Sequence, residues 1–350
     1  MKKSRRKILL TCMLTVVVLI AAALLFPTWT PGISGEYSVS QLKQIHINGA
    51  DHEVMIRGVD RRNPIIIFVH GGPGCSEIPY VRKYQEQLEQ SFTIVHYDQR
   101  GSGKSYHFFE DYSNITTDLL VDDLIALTDE VTTTFGQDKV LLIGHSYGTY
   151  IGMKAAAKTP NKFYAYIGIG QMADTIQSEL DGLQFVIDQE KAAGNIEEAD
   201  TLELLREPIE QGKAMTPRDK IREYGGAARL IDDNMDYYKG FLFGTEYNLL
   251  DAVRYVRGIS VTQEVLLQEA LHTPITSLVH QLDIPYYFVM GTYDYMTSVE
   301  AARQYYETLA APQKDFVVFS ESAHYPQFEE NIKFANWLND TWGVLSEQAQ

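Results

Sequence analysis

Residues 140–152 read VLLIGHSYGTYIG, and this stretch decides the fold of the chain. An apolar run typical of a buried strand leads into Gly144-His145-Ser146-Tyr147-Gly148, and helix-forming residues follow directly. This order of strand, G-x-S-x-G turn and helix is the nucleophile elbow, a strained turn that exposes the serine hydroxyl. Glycines stand on both sides of the serine because crowding by neighbouring elements leaves no room for a Cβ. The stretch therefore predicts Ser146 as a nucleophile.

Apolar runs and helical segments alternate on both sides of this motif. Residues 117–135 have the spacing of an amphipathic helix, and residues 44–47 and 53–59 are predicted to pair as a hairpin around Asn48-Gly49. Continuous apolar strands that alternate with helices favour a mostly parallel sheet covered by helices on both faces. The further predicted strands are 65–69, 92–97, 163–169, 286–290 and 316–319.

The strand pattern stops between residues 171 and 282. This segment is helical in pattern, acidic and polar, and strand-like runs resume only after it. An excursion of this length between two strands of one sheet predicts an inserted helical cap. The predicted organisation is an N-terminal segment (1–36) that ends in a linker (27–36), an α/β core in two parts (37–170 and 283–350) and the cap (171–282).

The N-terminal segment has the pattern of a membrane anchor. Five of the first seven residues are basic, and residues 8–26 then form 19 consecutive residues without a charge. As a helix this run spans about 28 Å, close to the hydrocarbon thickness of a bilayer. The preceding basic residues predict an N-terminus inside the cell and an extracytoplasmic body. A cleaved signal peptide, which would leave a secreted protein, is the alternative.

The charge and composition of the chain exclude several classes of substrate and ligand. The chain has a net charge of −16, and without the five N-terminal basic residues the other 25 basic and 46 acidic residues give −21. Such a body should repel nucleic acid and anionic lipid as substrates. Of the two cysteines, Cys12 lies in the apolar segment, so no disulfide with Cys75 is expected. No metal-ligand spacing is present, no cofactor is expected, and the oligomeric state is not indicated.

A nucleophilic serine needs a base and a group that orients the base. In a sheet with this elbow the acid and the histidine follow the serine in the chain, at the carboxyl ends of later strands. Asp294 follows the predicted strand 286–290, and His324 follows the predicted strand 316–319. Asp315 is a poorer candidate because it begins a strand. The sequence thus predicts Ser146, Asp294 and His324 as a catalytic triad.

The oxyanion that develops on the substrate needs preorganised N–H donors. The backbone N–H of Tyr147 follows the nucleophile, and the N–H of Gly72 lies in the glycine-rich loop 70–74 after the strand 65–69. These two groups are the predicted oxyanion hole. The neighbouring His70 and His145 are predicted to be structural, and Arg100 to pair with an acid.

Several motifs together resemble the proline iminopeptidase family of α/β-hydrolases, peptidase family S33. They are HGGPG at 70–74, DQRGSGKS at 98–105 and GHSYG at 144–148, followed by the aspartate and histidine of the predicted triad. The resemblance implies an α/β-hydrolase with a helical cap that releases N-terminal residues, often proline, from short peptides through an acyl-enzyme. It also implies cap glutamates that bind the substrate's amino group. Glu223 and Glu246, which lie beside aromatic residues, are the candidates.

Two alternatives stay open at this point. One is an esterase or another acyl hydrolase on the same scaffold, since the same triad serves both reactions. The other is a non-catalytic surface binding protein. An acidic pair in the cap that faces the pocket would favour the peptidase, whereas an entirely apolar cap lining would favour the esterase.

Overall fold

One sheet of eight strands forms the centre of the molecule. The fold is given by a computed structural model that describes residues 2–348; residues 1, 349 and 350, at the outer ends of the predicted first and last segments, lie outside it. The strand order is β1-β2-β4-β3-β5-β6-β7-β8, and the strands from β3 to β8 run parallel. The strands are β1 (Val39–Ile47), β2 (Ala50–Gly58), β3 (Ile65–Val69), β4 (Thr93–Tyr97), β5 (Val140–His145), β6 (Phe163–Ile169), β7 (Tyr286–Gly291) and β8 (Lys314–Phe319).

The predicted hairpin is present at the antiparallel edge of the sheet, formed by β1 and β2. Its strands are longer than predicted and leave a connection of only two residues, Asn48 and Gly49. Both have positive φ, 48° and 79°, as a type I′ turn requires. β2 in turn pairs antiparallel with β4, which joins the hairpin to the parallel strands.

Helices cover both faces of the sheet. Side chains of α3, α4 and α12 pack in one apolar cluster with the sheet, and those of α2 and α14 pack in another on the opposite face. This confirms the predicted mostly parallel sheet between helical layers. The helices are α1 (Lys2–Leu25), α2 (Glu86–Glu89), α3 (Thr117–Phe135), α4 (Tyr147–Lys158), α5 (Thr175–Ala192), α6 (Ile196–Glu203), α7 (Arg206–Glu210), α8 (Arg218–Glu223), α9 (Asp233–Phe243), α10 (Leu249–His272), α11 (Ile275–Leu278), α12 (Val299–Thr308), α13 (Pro326–Glu329) and α14 (Asn331–Gln348).

The segment between β6 and β7 contains the seven helices α5 to α11. Four of them, α5 to α8, share a small apolar core of their own, with Leu183, Ile187, Leu202 and Ile209 buried in it. The helical content of this segment agrees with an inserted cap. Its division from the core at residues 171 and 282 remains a prediction.

The N-terminal helix α1 contacts the body at α10, and most of its described side chains are exposed. Its portion from Lys7 to Leu25 has a mean hydropathy of 2.9 and side chains that are largely exposed, so it is long and apolar enough to cross a membrane. A signal sequence meets the same criterion. The side chains of residues 2–6, whose charges carry the predicted orientation, lie outside the described ones.

The first residues of the predicted linker are bound to the body. We call residues 26–31 the strap. The Trp29 N–H donates to Thr245 O at 2.9 Å, and Arg57 Nη1 donates to Thr30 Oγ1 and to Pro31 O, both at 2.6 Å. The end of α1 is therefore fastened to the body rather than connected to it by a free chain.

Candidate active site

Ser146 lies in a strained turn between β5 and α4. All six residues of β5 are buried, as expected for a central parallel strand, and the chain reverses at Ser146 with φ 55° and ψ −126°. Positive φ is costly for a residue with a side chain, so the surrounding structure must hold the turn in place. The Ser146 N–H donates to Ile169 O at 2.9 Å, which ties the turn to the end of β6.

Close backbone contacts explain the glycines around this serine. A Cβ on Gly148 would lie 1.9 Å from Val69 O at the end of β3, and a Cβ on Gly144 would lie 2.6 Å from Gly148 O. A Cβ on Gly71 would lie 2.7 Å from the Cβ of Ser146. The glycine loop and the elbow can approach each other this closely only without side chains.

Replacing Gly148 with Ala is expected to lower the stability of the protein by at least about 3 kcal/mol, because the new Cβ meets backbone that cannot give way. For a chain of this size the thermal midpoint of the purified protein should fall by at least about 4 °C. Gly343 on α14 is the matched control, since nothing among residues 2–348 lies within 4 Å of the position that a Cβ would occupy there. Gly343→Ala should leave the midpoint unchanged or raise it; an equal fall in both variants would contradict the packing argument.

Asp294 and His324 meet beyond the ends of β7 and β8. His324 Nδ1 lies 2.9 Å from Asp294 Oδ2, and both side chains are buried. Asp294 Oδ1 accepts the N–H groups of Met296 and Thr297, each at 2.9 Å, while Oδ2 also accepts the Thr297 hydroxyl at 2.9 Å. These four contacts fix the carboxylate, so it can hold the imidazole in one orientation.

Ser146 and His324 line the same cavity, which has a volume of about 460 Å³. His324 Nε2 is buried and has no hydrogen-bond partner within residues 2–348. No direct hydrogen bond joins it to Ser146 Oγ among those residues. Such contacts are often long before substrate binds and tighten in the complex. The structure thus brings Ser146 and His324 to one cavity, and Asp294 contacts His324 from outside the cavity lining.

The two predicted oxyanion donors also border this cavity. Gly72 has a φ of 114°, and Tyr147 is the first residue of α4, so its N–H has no acceptor within the helix. The side chain of Tyr147 is buried, and its hydroxyl lies 2.7 Å from Thr117 Oγ1. The backbone of Tyr147 is therefore the part available to a substrate.

Sequence reasoning missed Glu77, a buried carboxylate in the cavity wall. Its Oε1 lies 2.7 Å from His145 Nδ1, and His145 Nε2 lies 3.0 Å from the carbonyl oxygen of His324. A carbonyl only accepts, so Nε2 carries a proton and a second proton lies between Nδ1 and Oε1. Burial raises the pKa of Glu77, but the hydrogen bond and charge of His145 outweigh it and leave the pKa below its ordinary value. Glu77 Oε2 has no partner in the described part of the chain.

Neither predicted substrate-binding glutamate lines the cavity. Glu223 is 58% exposed and lies 3.6 Å from Lys220, while Glu246 is buried against Arg82 at 2.8 Å and Thr30 at 3.1 Å. The cap glutamate that does line it is Glu179. Its Oε1 accepts from Arg218 and its Oε2 accepts from the N–H of Thr216 at 2.8 Å, so both of its oxygens are occupied.

Three other titratable residues considered above, His70, Cys75 and Arg100, do not supply a base or a nucleophile. Burial lowers the pKa of His70 to about 4, so its imidazole is neutral near pH 7, and its Nε2 lies 3.1 Å from Ser102 Oγ. Burial raises the pKa of the Cys75 thiol to about 11, which keeps it from acting as a thiolate nucleophile. Arg100 pairs with Asp123 at 2.8 Å, as predicted.

Comparison with known proteins gives relatives that share most of the chain. The chain is 32% identical over 311 residues to a Bacillus subtilis protein named "Probable aminopeptidase YbaC", covering 86% of this chain and 96% of that protein. It is 22% identical over 300 residues to a proline iminopeptidase of Saccharolobus solfataricus, covering 81% and 86%.

The fold agrees with these relatives. The solved structure of a Mycobacterium smegmatis proline iminopeptidase superimposes with a TM-score of 0.64 at 16% identity, covering 89% of this chain and all of that one. The α/β hydrolase fold family matches residues 64–331, which include the elbow, the acid and the histidine. With this match, the relatives and the observed sheet, the chain belongs to the α/β hydrolase fold family.

Proposed function

We propose that this α/β hydrolase is a serine aminopeptidase that releases N-terminal residues from short peptides. The observation that carries the proposal is the Asp294–His324 contact on the cavity that also exposes Ser146 from a strained elbow. One named relative is a probable aminopeptidase and the other is a proline iminopeptidase, which favours a peptide over another acyl substrate.

In the proposed reaction His324 Nε2 takes the hydroxyl proton of Ser146 as Oγ attacks the scissile carbonyl carbon. Asp294 orients the imidazole and stabilises its cationic form through the 2.9 Å contact with Nδ1. The N–H groups of Tyr147 and Gly72 bind the oxyanion, and each such donor contributes about 3 kcal/mol to the transition state. His324 then protonates the leaving amine, and the same imidazole next takes a proton from the water that hydrolyses the acyl-enzyme.

An aminopeptidase also needs an acceptor for the substrate's α-amino group. We infer that Glu77 Oε2 is this acceptor, because Glu77 lines the cavity and this buried carboxylate oxygen has no partner of its own among residues 2–348. Glu179, the other glutamate of the cavity, already uses both oxygens. The lining also includes Arg218 and Arg222, so it is not the entirely apolar surface that an esterase would favour.

The test compares three kinds of substrate on the purified full chain. These are alanyl and prolyl arylamides, the propionyl arylamide that lacks the amino group, and a short-chain nitrophenyl ester. We expect turnover of the aminoacyl amides and poor turnover of the propionyl amide, because the latter leaves a buried carboxylate oxygen unpaired. Turnover confined to the ester would contradict the peptidase proposal and favour an esterase. Absence of both turnover and fluorophosphonate labelling would support a non-catalytic binding protein.

Changing Glu77 to Gln should lower the preference for the alanyl over the propionyl arylamide by about tenfold, because a charge-assisted hydrogen bond becomes a neutral one. Glutamine keeps a hydrogen bond to His145, so turnover of the nitrophenyl ester is the internal control and should change little. Glu179→Gln, which alters a glutamate with occupied oxygens, is the matched variant. If Glu77→Gln leaves the preference for the alanyl over the propionyl arylamide unchanged, Glu77 does not bind the amino group of the substrate.

We also propose that α1 anchors the protein in the cell membrane, with the N-terminus inside and the hydrolase outside. The length and hydropathy of Lys7–Leu25 support the anchor, and the basic residues before it support the orientation. Retention in the membrane fraction after alkaline extraction, with the body digested by protease added to intact cells, is the expected result. Release of a shortened chain with a new N-terminus would instead identify a cleaved signal peptide.

A further inference from the structure

The strap leaves almost no distance between the end of α1 and the body. Asn248 Nδ2 donates to Phe26 O at 2.9 Å, one residue after α1 ends, and the Trp29 N–H donates to Thr245 O at 2.9 Å. Four residues span at most about 14 Å even when fully extended. If α1 crosses the bilayer, the segment 244–248 between α9 and α10 must lie within that distance of the hydrocarbon boundary.

The surface around this attachment point is apolar and exposed. Phe26, Trp29, Leu242 and Leu249 line one groove, so the end of α9 adjoins the strap. Phe243 follows Leu242 and is 81% exposed. These residues, the exposed apolar residues in the first turns of α10, and Phe108 and Phe109 of a neighbouring loop together form what we call the cap apolar surface. Its exposed members are Phe26, Trp29, Phe108, Phe109, Leu242, Phe243, Val253 and Val256.

The members from α10 and from the loop belong to the same region. Leu249, Val253 and Val256 are spaced four and three residues apart, which places them on one side of α10. The Arg254 guanidinium lies 6.0 Å from the ring of Phe108, which brings the loop beside these turns. Lys239 and Arg257 are exposed on the same two helices. Aromatic, aliphatic and basic side chains in this combination suit the interface of a lipid bilayer.

We infer that the cap apolar surface lies in the headgroup region of the membrane that α1 anchors. The inference rests on the proposed membrane anchor. The occupant is lipid rather than another protein, because the strap holds this surface at the exit of the membrane helix. The opposite side of α9 carries Tyr237, which lines the active-site cavity, so one helix would contact both lipid and the substrate cavity.

The experiment places a fluorescent probe on this surface in the full chain. Phe243→Cys and Phe109→Cys are labelled with an environment-sensitive nitrobenzoxadiazole dye in a Cys12→Ser background, and the parent without an added cysteine gives the background signal. Leu204→Cys is the matched control, because Leu204 is an apolar residue that is 76% exposed beyond the end of α6, away from α9 and α10 in the chain. Thermal midpoints verify that each variant folds.

In phosphatidylcholine–phosphatidylglycerol liposomes, the labels at 243 and 109 should emit at shorter wavelength than the label at 204. They should be quenched by nitroxide-labelled lipid and protected from iodide, and the control should show the reverse. Iodide quenching at 243 equal to that at 204, in protein that still floats with the liposomes, would overturn the inference and leave the anchor standing. Failure to float would overturn both, without bearing on hydrolase activity.

A second copy of the chain is the other way to cover this surface. Nanodiscs that hold one protein each distinguish the two cases. If the label at 243 remains protected from iodide in single-copy discs, lipid is the occupant. If protection is lost there, the surface is a contact between copies and the inference is wrong.

Discussion

Ser146→Ala is expected to lower kcat for an aminoacyl arylamide by about 10⁶-fold, the scale seen when the nucleophile of a Ser-His-Asp hydrolase is removed. The variant lacks the oxygen that attacks the scissile carbonyl. The nearby Cys75 thiol cannot replace it, because its pKa is raised to about 11 and little thiolate is present. The variant should still bind substrate, since the cavity walls are unchanged. Steady-state kinetics and fluorophosphonate labelling measure the effect.

Ser346→Ala on α14 is the control for this change, because that hydroxyl donates only to Gly343 O at the surface. It should retain full activity and full labelling. The proposal would be contradicted by a Ser146→Ala protein that keeps about a hundredth of the parental kcat, far above the residual rate expected without a nucleophile, or reacts with the probe as the parent does. A thermal midpoint close to that of the parent would show that lost activity does not come from unfolding.

Asp294→Asn should lower kcat/KM by about 10⁴-fold, because the imidazole adopts the wrong tautomer. Two rigid backbone N–H groups, of Met296 and Thr297, donate to Oδ1 and will keep the amide oxygen of the new asparagine at that position. The amide NH₂ then faces His324 Nδ1, which can only accept from it. His324 Nε2 therefore carries the proton and cannot take one from Ser146.

The control is Asp315→Asn at the start of β8, where the carboxylate is exposed and accepts only the N–H of Phe316. This variant should be as active as the parent. A large loss of activity in Asp315→Asn with little change in Asp294→Asn would reverse the assignment of the acid. Because the asparagine is nearly isosteric, both proteins should unfold at similar temperatures.

The features that sequence predicted best depend on local pattern or on strand order. The run 140–145 became β5, and α3 begins and ends at the predicted residues, 117 and 135, because a Thr116 cap and a positive-φ Gly136 bound it. Asp294 and His324 are predicted as partners because the carboxyl ends of parallel strands meet at one edge of the sheet. The registers of β5 to β8 bring these ends together as expected.

The features that sequence did not predict depend on contacts between distant residues. Glu77 matters because it meets His145, 68 positions away, and no pattern around Glu77 indicates this partner. Glu223 and Glu246 were chosen for their aromatic neighbours in the chain, but the phase of α8 turns Glu223 to solvent and Glu246 turns toward the strap. The proline- and glycine-rich composition of residues 27–36 predicts a linker, and nothing in that composition indicates the hydrogen bonds between the strap and Arg57 and Thr245.

The strap also determines where a water-soluble version of this hydrolase should begin. A recombinant chain that starts after Glu36 would lose the Thr30 hydroxyl and the Pro31 carbonyl, both acceptors for the buried Arg57 guanidinium. Arg57 would keep Ser40 Oγ and Glu89 as partners but lose two acceptors and part of the structure that buries it, so such a protein should be less stable and more prone to aggregate. A chain that starts at Pro27 lacks the apolar helix α1 and keeps both acceptors, so that chain is the better choice for crystallisation.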